Sequence, residues 1–290
     1  MTPSSNRRGT ITLVSACDDK YVNLLKVMLC SVCENQKKDY CIEVFIFDGG
    51  MSDASRSTVS QMAGRYGVAP VYIVPPQAMF AKVSCLPIPK WWPITAYYRI
   101  AIGTLLPSTC HKAVYLDCDT LVRGDLAELF DTNLCGNMIA AAADYPWETQ
   151  AHLPDLLGRP ARQGEIYFNS GVLVVDLDLW REQEVERKLF TYTYEHCTPM
   201  VDQDALNAMF AGKCLYLDGK YNYHPVPNNR MNEAEAVIIH FVGPSRGRRL
   251  QYKYRAEYAR YAAIAGADAL IITGVPPPAP QQTRHRGLRH

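Results

Sequence analysis

Apolar and β-branched residues occur in short unbroken runs, and each run ends in acidic residues or glycine. The first, TITLVSA at 10–16, stops at Asp18 and Asp19, after which Leu24, Met28 and Val32 recur at helical spacing. This reads as strand, acidic turn, helix. IEVFIFD at 42–48 repeats the pattern, ending in Asp48-Gly49-Gly50, and Ser52 and Asp53 are placed to cap a helix reaching about residue 66. VAPVYIVP at 68–75 supplies a third strand, and TAYYRIAIGTLL at 95–106 predicts a helix leading into AVYLD at 113–117. Strands alternating with helices and ending in polar residues imply an α/β domain with a mixed, mainly parallel sheet flanked by helices. Ligands then belong at the carboxyl ends of the strands.

The second half continues with strands in MIAAAAD (138–144) and FNSGVLVVDLD (168–178), a helix over 179–196, DQDALNAMFAG (202–212), and short strands in KCLYLD and AVIIHFV. Between 145 and 167 the chain has no clear period and reads as a long functional loop over the site. The expected boundaries are a flexible 1–9, a main domain over 10–250, a basic and aromatic helix over 251–274, and a disordered Pro-rich basic tail over 275–290. No internal repeat is visible.

A chain of 290 residues with 48% hydrophobic residues can bury one large core, and its formal net charge of +1 creates no global attraction for nucleic acid or anionic lipid. The 10 cysteines are irregularly spaced and no signal segment opens the chain, which points to a reduced, cytoplasmic protein. Cys30 and Cys33 fall inside a helical pattern and read as buried thiols in preference to a zinc or redox pair. No apolar run is long enough to span a bilayer. The 18 tyrosines suit surfaces that handle hydroxylated ligands, although residue by residue half-buried structural positions account for them better.

Candidate chemistry starts at Tyr115-Leu116-Asp117-Cys118-Asp119, which closes a buried strand. Residues i and i+2 of an extended segment point to one side, so both carboxylates can converge on a hard cation that also grips a pyrophosphate. A calcium loop is excluded by Leu121 and Val122, which stand where an oxygen ligand and glycine are needed. Haloacid-dehalogenase-type phosphohydrolases also place such a pair after a buried strand. That strand is normally the first of the core, followed by Thr or Val where Leu121 stands here, and it remains the rival reading. Far along the chain, Ile238-Ile239-His240-Phe241-Val242-Gly243 and Arg246 form a second element. His240 could be a satisfied core histidine. In isolation that reading leads, but Gly243 and Arg246 at short spacing let His240 add a nitrogen ligand to the two carboxylates, with both against a phosphate. A mixed N/O set accommodates manganese readily and leaves magnesium possible.

With these residues together, the chain resembles glycosyltransferase family 8, the retaining GT-A-type enzymes that include bacterial lipopolysaccharide galactosyl- and glucosyltransferases and glycogenins. The resemblance spans about 10–250 and rests on ACDDKY at 16–21, YYRI at 97–100, YLDCDTLV at 115–122, FNSGVLVVDL at 168–177, DQDALN at 202–207 and HFVG at 240–243, in the family's order. It implies a single GT-A-type, Rossmann-like domain. It also implies that Ala16, Asp18, Lys20 and Cys118 line the nucleotide pocket, that Asp117, Asp119 and His240 hold the metal, and that Gly243 and Arg246 contact the diphosphate. Arg99, Asp144, Asn169, Asp202 and Gln203 would surround the transferred sugar. Lys20 stands where the family often has Asn, and Arg246 where it often has Lys. Without the resemblance, Asp18-Asp19 could simply cap the first helix, Arg99 could pair with a surface carboxylate, Asn169-Ser170-Gly171 could be a bulge, and Asp202-Gln203 could open a helix.

The expected activity is metal-dependent transfer of a hexose from a UDP-sugar to a glycan, lipopolysaccharide or other hydroxyl acceptor, with retention. Gln203 occupies the expected position of a nucleophile but is a neutral amide, which favours attack from the face of the departing diphosphate over a covalent intermediate. A self-glycosylating or non-catalytic UDP-sugar-binding protein is the reading from another class. From 246 to 261 six Lys and Arg residues face Glu257 alone, interleaved with Tyr252, Tyr254, Tyr258 and Tyr261. This stretch reads either as a helix that docks on an anionic membrane carrying a lipid-linked acceptor, or as a solvated helix with its tyrosines packed inward. No nucleic-acid partner is expected.

Overall fold

The computed structural model describes residues 9–268 except 38, 87–92, 146, 197–198, 227–228, 230 and 243–253. Of the expected flexible segment 1–9 only Gly9 is described, and it opens the first strand; the expected tail 275–290 and the expected diphosphate contacts Gly243 and Arg246 lie outside the described residues.

The first apolar runs form β1 (Gly9–Cys17), α1 (Val22–Asn35), β2 (Tyr40–Asp48), α2 (Asp53–Gly64), β3 (Val71–Ile73) and α3 (Gln77–Ser84). Ser52 caps α2 as the sequence predicts, its hydroxyl accepting from the Ser55 N–H at 3.2 Å. A 3₁₀ helix (Ile94–Ala101) and α4 (Ile102–Leu105) lead into β4 (Lys112–Leu116), followed by β5 (Thr120–Val122), α5 (Ala127–Phe130), β6 (Ile139–Ala143) and α6 (Trp147–Leu157). The chain continues through β7 (Phe168–Asp176), α7 (Leu177–Glu182), α8 (Val185–His196), α9 (Asp202–Phe210), β8 (Leu215–Leu217), β9 (Ile238–His240) and α10 (Arg255–Ala265).

The main sheet has seven strands in the order β3-β2-β1-β4-β7-β6-β8. It is mixed and mainly parallel, since only the pairings of β7 with β4 and β6 are antiparallel. Residues alternate between two cores because successive strand side chains point to opposite faces. Leu13, Val44, Ile46, Val114, Leu116, Val172 and Val174 pack on one side. Val14, Phe45, Phe47, Ala113, Tyr115, Leu173 and Val175 pack on the other. Burial on both faces explains why these strands read as continuous apolar runs. The chain moves outward from β1 to β2 and β3, then returns to β4 on the other side of β1. The carboxyl ends of β1 and β4 therefore flank the crevice where the strand order reverses, which is where open α/β sheets bind ligands.

Three local expectations are corrected. The helix expected over 95–106 is 3₁₀ over Ile94–Ala101 and α-helical only in α4, and residues 95–101 are all buried. The helix expected over 179–196 is two helices, α7 and α8, broken at Glu184, whose φ is 51°. The stretch expected as an unstructured loop over 145–167 contains α6, whose period is obscured by Pro154 within it. Gln150 joins α6 to the strand ends, donating to the Tyr167 carbonyl at 2.7 Å and accepting from its N–H at 2.8 Å.

Helix α10 packs on α1, and Tyr254, Tyr258 and Tyr261 are buried in the same core as α1. Inward packing, one of the two readings of this stretch, thus holds for these three tyrosines. Asn35 donates to the Tyr261 hydroxyl at 2.8 Å, Lys26 donates to the Gly266 carbonyl at 2.5 Å, and Arg123 pairs with Glu257. Every described cysteine is a free thiol, and no described helix is long and apolar enough to cross a membrane.

Candidate active site

Asp117 follows β4 directly, and its N–H donates to the Gly171 carbonyl at 2.8 Å, so the end of β4 is fixed against β7. Three residues later, β5 pairs antiparallel with β9 in a separate two-stranded sheet, with Thr120 opposite His240. The Phe241 N–H donates to the Asp119 carbonyl at 2.9 Å. This pairing brings together residues more than one hundred positions apart. His240 Nε2 lies 3.2 Å from Asp119 Oδ1 and 3.8 Å from Asp117 Oδ2.

Asp117 directs its two oxygens differently. Oδ1 accepts from Arg99 Nη2 at 2.8 Å and from the Tyr115 hydroxyl at 3.1 Å, while Oδ2, 3.3 Å from Arg99 Nη1, turns towards His240. Arg99 is buried, with Nε 2.9 Å from Asp202 Oδ2 and Nη1 donating to the Ser170 carbonyl at 2.5 Å. It also lies over the Tyr115 ring at 4.6 Å. Burial pushes its pKa down, but the charges of Asp117 and Asp202 outweigh that and hold it firmly protonated. Arg99 is therefore an interior bridge between two carboxylates and does not pair with a surface group.

Asp202 opens α9 behind Val201, a β-branched residue held at φ 57°, where such side chains are strained. Burial raises the Asp202 carboxyl to about 6 despite the opposing charge of Arg99, with the Asp117 charge adding to the rise. Gln203 accepts from the Ser170 N–H at 3.0 Å and donates to Asp144 Oδ2 at 3.1 Å. Asn169 donates to Asp144 Oδ1 at 3.2 Å, and burial raises the Asp144 carboxyl above its ordinary value. Asp144 stands at the end of β6, with its N–H donating to the Tyr167 carbonyl at 2.9 Å.

The eight residues Arg99, Asp117, Asp119, Asp144, Asn169, Asp202, Gln203 and His240 thus form one polar network at the carboxyl ends of β4 and β6. At the end of β1, the Cys118 thiol donates to the Ala16 carbonyl at 3.1 Å, which places Ala16 against the acidic pair. Asp18 accepts from the N–H groups of Lys20 and Tyr21 at 2.9 and 3.2 Å, making the turn that enters α1, and Lys20 is exposed. Asp19 instead accepts from the Ser52 N–H at 2.8 Å and joins this turn to α2.

Sequence reasoning missed Ser170, Asn222 and His224. Asn222 Oδ1 lies 2.9 Å from His240 Nδ1, and the His224 ring packs edge-on against that of His240 at 5.4 Å. Their only signal was the run Tyr221-Asn222-Tyr223-His224 after β8, where polar residues alternate with tyrosines. Tyr223 bridges Ile239, which adds this segment to β9.

One ligand atom from each of Asp117, Asp119 and His240 lies within 4.8 Å of the other two, and no other such group occurs among the described residues. Two carboxylate oxygens and an imidazole nitrogen make a donor set for a divalent cation, and manganese fits the mixture well. Arg99 faces Asp117 and Asp202, and Asp119 Oδ1 lies beside His240 Nε2. The residues fit the metal.

The sequence profile of Glycosyl transferase family 8 matches residues 12–246. General stress protein A of Bacillus subtilis (strain 168) is 26% identical over 278 residues, covering 86% of this chain and 92% of that protein. Lipopolysaccharide 1,3-galactosyltransferase of Salmonella typhimurium is 26% identical over 179 residues, covering 57% of this chain and 52% of that protein. Among solved structures, the galactosyltransferase LgtC in complex with donor and acceptor sugar analogues superposes with a TM-score of 0.73 at 28% identity. The match covers 92% of this chain and 98% of that one.

Proposed function

The chain belongs to glycosyltransferase family 8, and from that premise we propose that it transfers a hexose from a UDP-sugar to a hydroxyl of a glycan or lipid-linked glycan, with retention at the anomeric carbon. The observation that carries this reading is the convergence of Asp117, Asp119 and His240 at the strand-order crevice, next to the network of Arg99, Asp144, Asp202 and Gln203. Nucleotide and diphosphate would enter at the ends of β1 and β4, beside Ala16, Asp18, Lys20 and Cys118. Gly243 and Arg246, which follow β9, would face the phosphates.

Asp117, Asp119 and His240 would hold a manganese or magnesium ion, which would supply positive charge for the departing diphosphate. Arg99 fixes the carboxylates of Asp117 and Asp202, so little reorganisation is needed when charge develops. Asp144, Asn169, Asp202 and Gln203 orient the sugar through polar groups that already hold one another in place. Gln203 is a neutral amide engaged at both ends, by the Ser170 N–H and by Asp144, which makes it a poor nucleophile. Attack from the face of the departing diphosphate follows, with a phosphate oxygen accepting the acceptor's proton. Exposed Arg255 and Arg260 offer cationic contacts to an anionic membrane that carries the acceptor.

The test is a hydrolysis screen with UDP-galactose, UDP-glucose and UDP-N-acetylglucosamine in manganese, read as UDP release. Release from one of them with the α-anomer as first product, seen by NMR, is expected. No release from any donor, together with no UDP binding by calorimetry, would sink the donor assignment. A β-anomer as first product would overturn retention. Failure of the protein to sediment with liposomes containing anionic lipid would remove the membrane association.

A further inference from the structure

The polar network contains amide groups whose orientation is set by the backbone. Consecutive N–H groups of β7, at Ser170 and Gly171, donate to Gln203 Oε1 at 3.0 Å and to Asn169 Oδ1 at 2.9 Å. A backbone N–H can only donate, so each of these amides must turn its oxygen towards β7. The nitrogens of both side chains then face Asp144, at 3.2 Å from Asn169 and 3.1 Å from Gln203, and a carboxylate accepts both. With Asn169 Oδ1 fixed as an acceptor, the Asn222 atom 2.9 Å away must be its Nδ2 donor. The Asn222 oxygen is thereby turned to His240 Nδ1, also at 2.9 Å. An acceptor there requires Nδ1 to carry the proton.

In the neutral ring this leaves the lone pair on Nε2, the atom 3.2 Å from Asp119 Oδ1 and 3.8 Å from Asp117 Oδ2. Asn222, His240 and Asn169 are all buried, so water does not compete for these bonds. We infer that Asn222 is a positioning residue for the metal site, fixing the tautomer and rotation of His240 so that Nε2 faces the cation. The polarity comes from the Gly171 N–H through Asn169. Nothing in the sequence motifs marks Asn222, because its role comes from a partner 18 positions away and a relay 53 positions away. The inference rests on the metal reading given above.

Two variants separate this role from simple packing. Asn222→Leu keeps roughly the volume and removes the acceptor. Asn222→Asp keeps an acceptor for His240 Nδ1–H while losing the donor to Asn169. Manganese titration of the purified protein with UDP present, followed by the EPR signal of free Mn²⁺, gives the affinity directly. Outer-shell partners of ligating histidines are typically worth about 10–100-fold in metal affinity. That loss is expected for N222L, whereas N222D should stay within about threefold of the unaltered protein. Long-range ¹H–¹⁵N NMR of metal-free protein at a pH where the ring is neutral should show His240 as the Nδ1–H tautomer, assigned by its absence from H240A. Metal affinity in N222L equal to that of the unaltered protein, or an Nε2–H tautomer for His240, would overturn the inference while leaving the metal reading intact. If the unaltered protein binds no manganese, the metal reading fails and this one with it. Equal loss of affinity in N222L and N222D, with equally lowered melting temperatures, would reduce Asn222 to a packing role and also overturn it.

Discussion

Gly171 passes directly beneath His240: a Cβ built on it would stand 2.1 Å from His240 Cε1 and 2.7 Å from Asp117 Oδ2. The imidazole is held at Nδ1 by Asn222, and Asp117 by Arg99, so neither can yield freely. Gly171→Ala should therefore displace two candidate metal ligands at once. The expected outcome is at least a tenfold loss of manganese affinity, with about 1–3 kcal/mol of stability lost through overpacking. Manganese titration with urea unfolding reads both. Unchanged affinity would mean that the ligand positions do not depend on this close approach.

Asp119 Oδ1 stands 3.2 Å from His240 Nε2, in one cluster with Asp117. Asp119→Asn keeps the shape and removes the charge. UDP-sugar hydrolysis should fall by at least about two orders of magnitude, the scale of losing an electrostatic contributor to a transition state. Assays over a range of manganese concentrations test this, and full activity in the variant would remove Asp119 from the metal site.

Arg99 serves the fold as much as the site. Arg99→Met would leave the buried Asp202 carboxylate and the half-buried Asp117 carboxylate without their counter-ion, and breaking a buried pair typically costs about 3–5 kcal/mol. Arg99→Lys keeps the charge but cannot span both carboxylates with one planar group, so its loss should be smaller. Urea midpoints of the two variants should fall in that order. A melting profile for Arg99→Met equal to that of the unaltered protein would contradict the bridging role.

Asp202 makes stability depend on pH in an unusual direction. Its folded-state pKa, about 6, lies above the ordinary carboxylate value of about 4 because burial disfavours the charged form. The folded state therefore holds the proton more tightly. This contribution is complete below about pH 4 and is lost as pH rises to about 6, amounting to roughly 3 kcal/mol. Asp202→Asn stays neutral throughout. In EDTA, the stability of the unaltered protein relative to this variant should fall between pH 4 and pH 7. A difference that does not vary with pH would place the Asp202 carboxyl in an ordinary environment.

The strands were legible because both faces of the sheet are buried, so Leu13, Val14, Phe45, Ile46, Val174 and Val175 belong to uninterrupted apolar runs. The helix caps and turns at Asp18 and Ser52 were legible because their side chains bond to backbone N–H groups two or three residues ahead. The 3₁₀ geometry of the segment carrying Arg99 was not, since a helical pattern of apolar residues does not separate i→i+3 from i→i+4 hydrogen bonding. Nor was α6, whose Pro154 disguises its period.

The sequence by itself determined the layered α/β domain and the chemical types at the site: an acidic pair after an apolar strand, a histidine after another, and a polar pair opening a helix. These follow from short-range rules, strand alternation and turn chemistry. Only the tertiary structure decided how the types combine, because the controlling contacts run between distant segments. Pairing of β5 with β9 sets His240 against Asp119, the Arg99 bridge fixes which oxygen of Asp117 faces inward, and two N–H groups of β7 orient the amides that end at Asn222. Hydrogen-bond direction in a buried network depends on where each donor finds its acceptor. That is a property of the folded chain and of no single stretch of it.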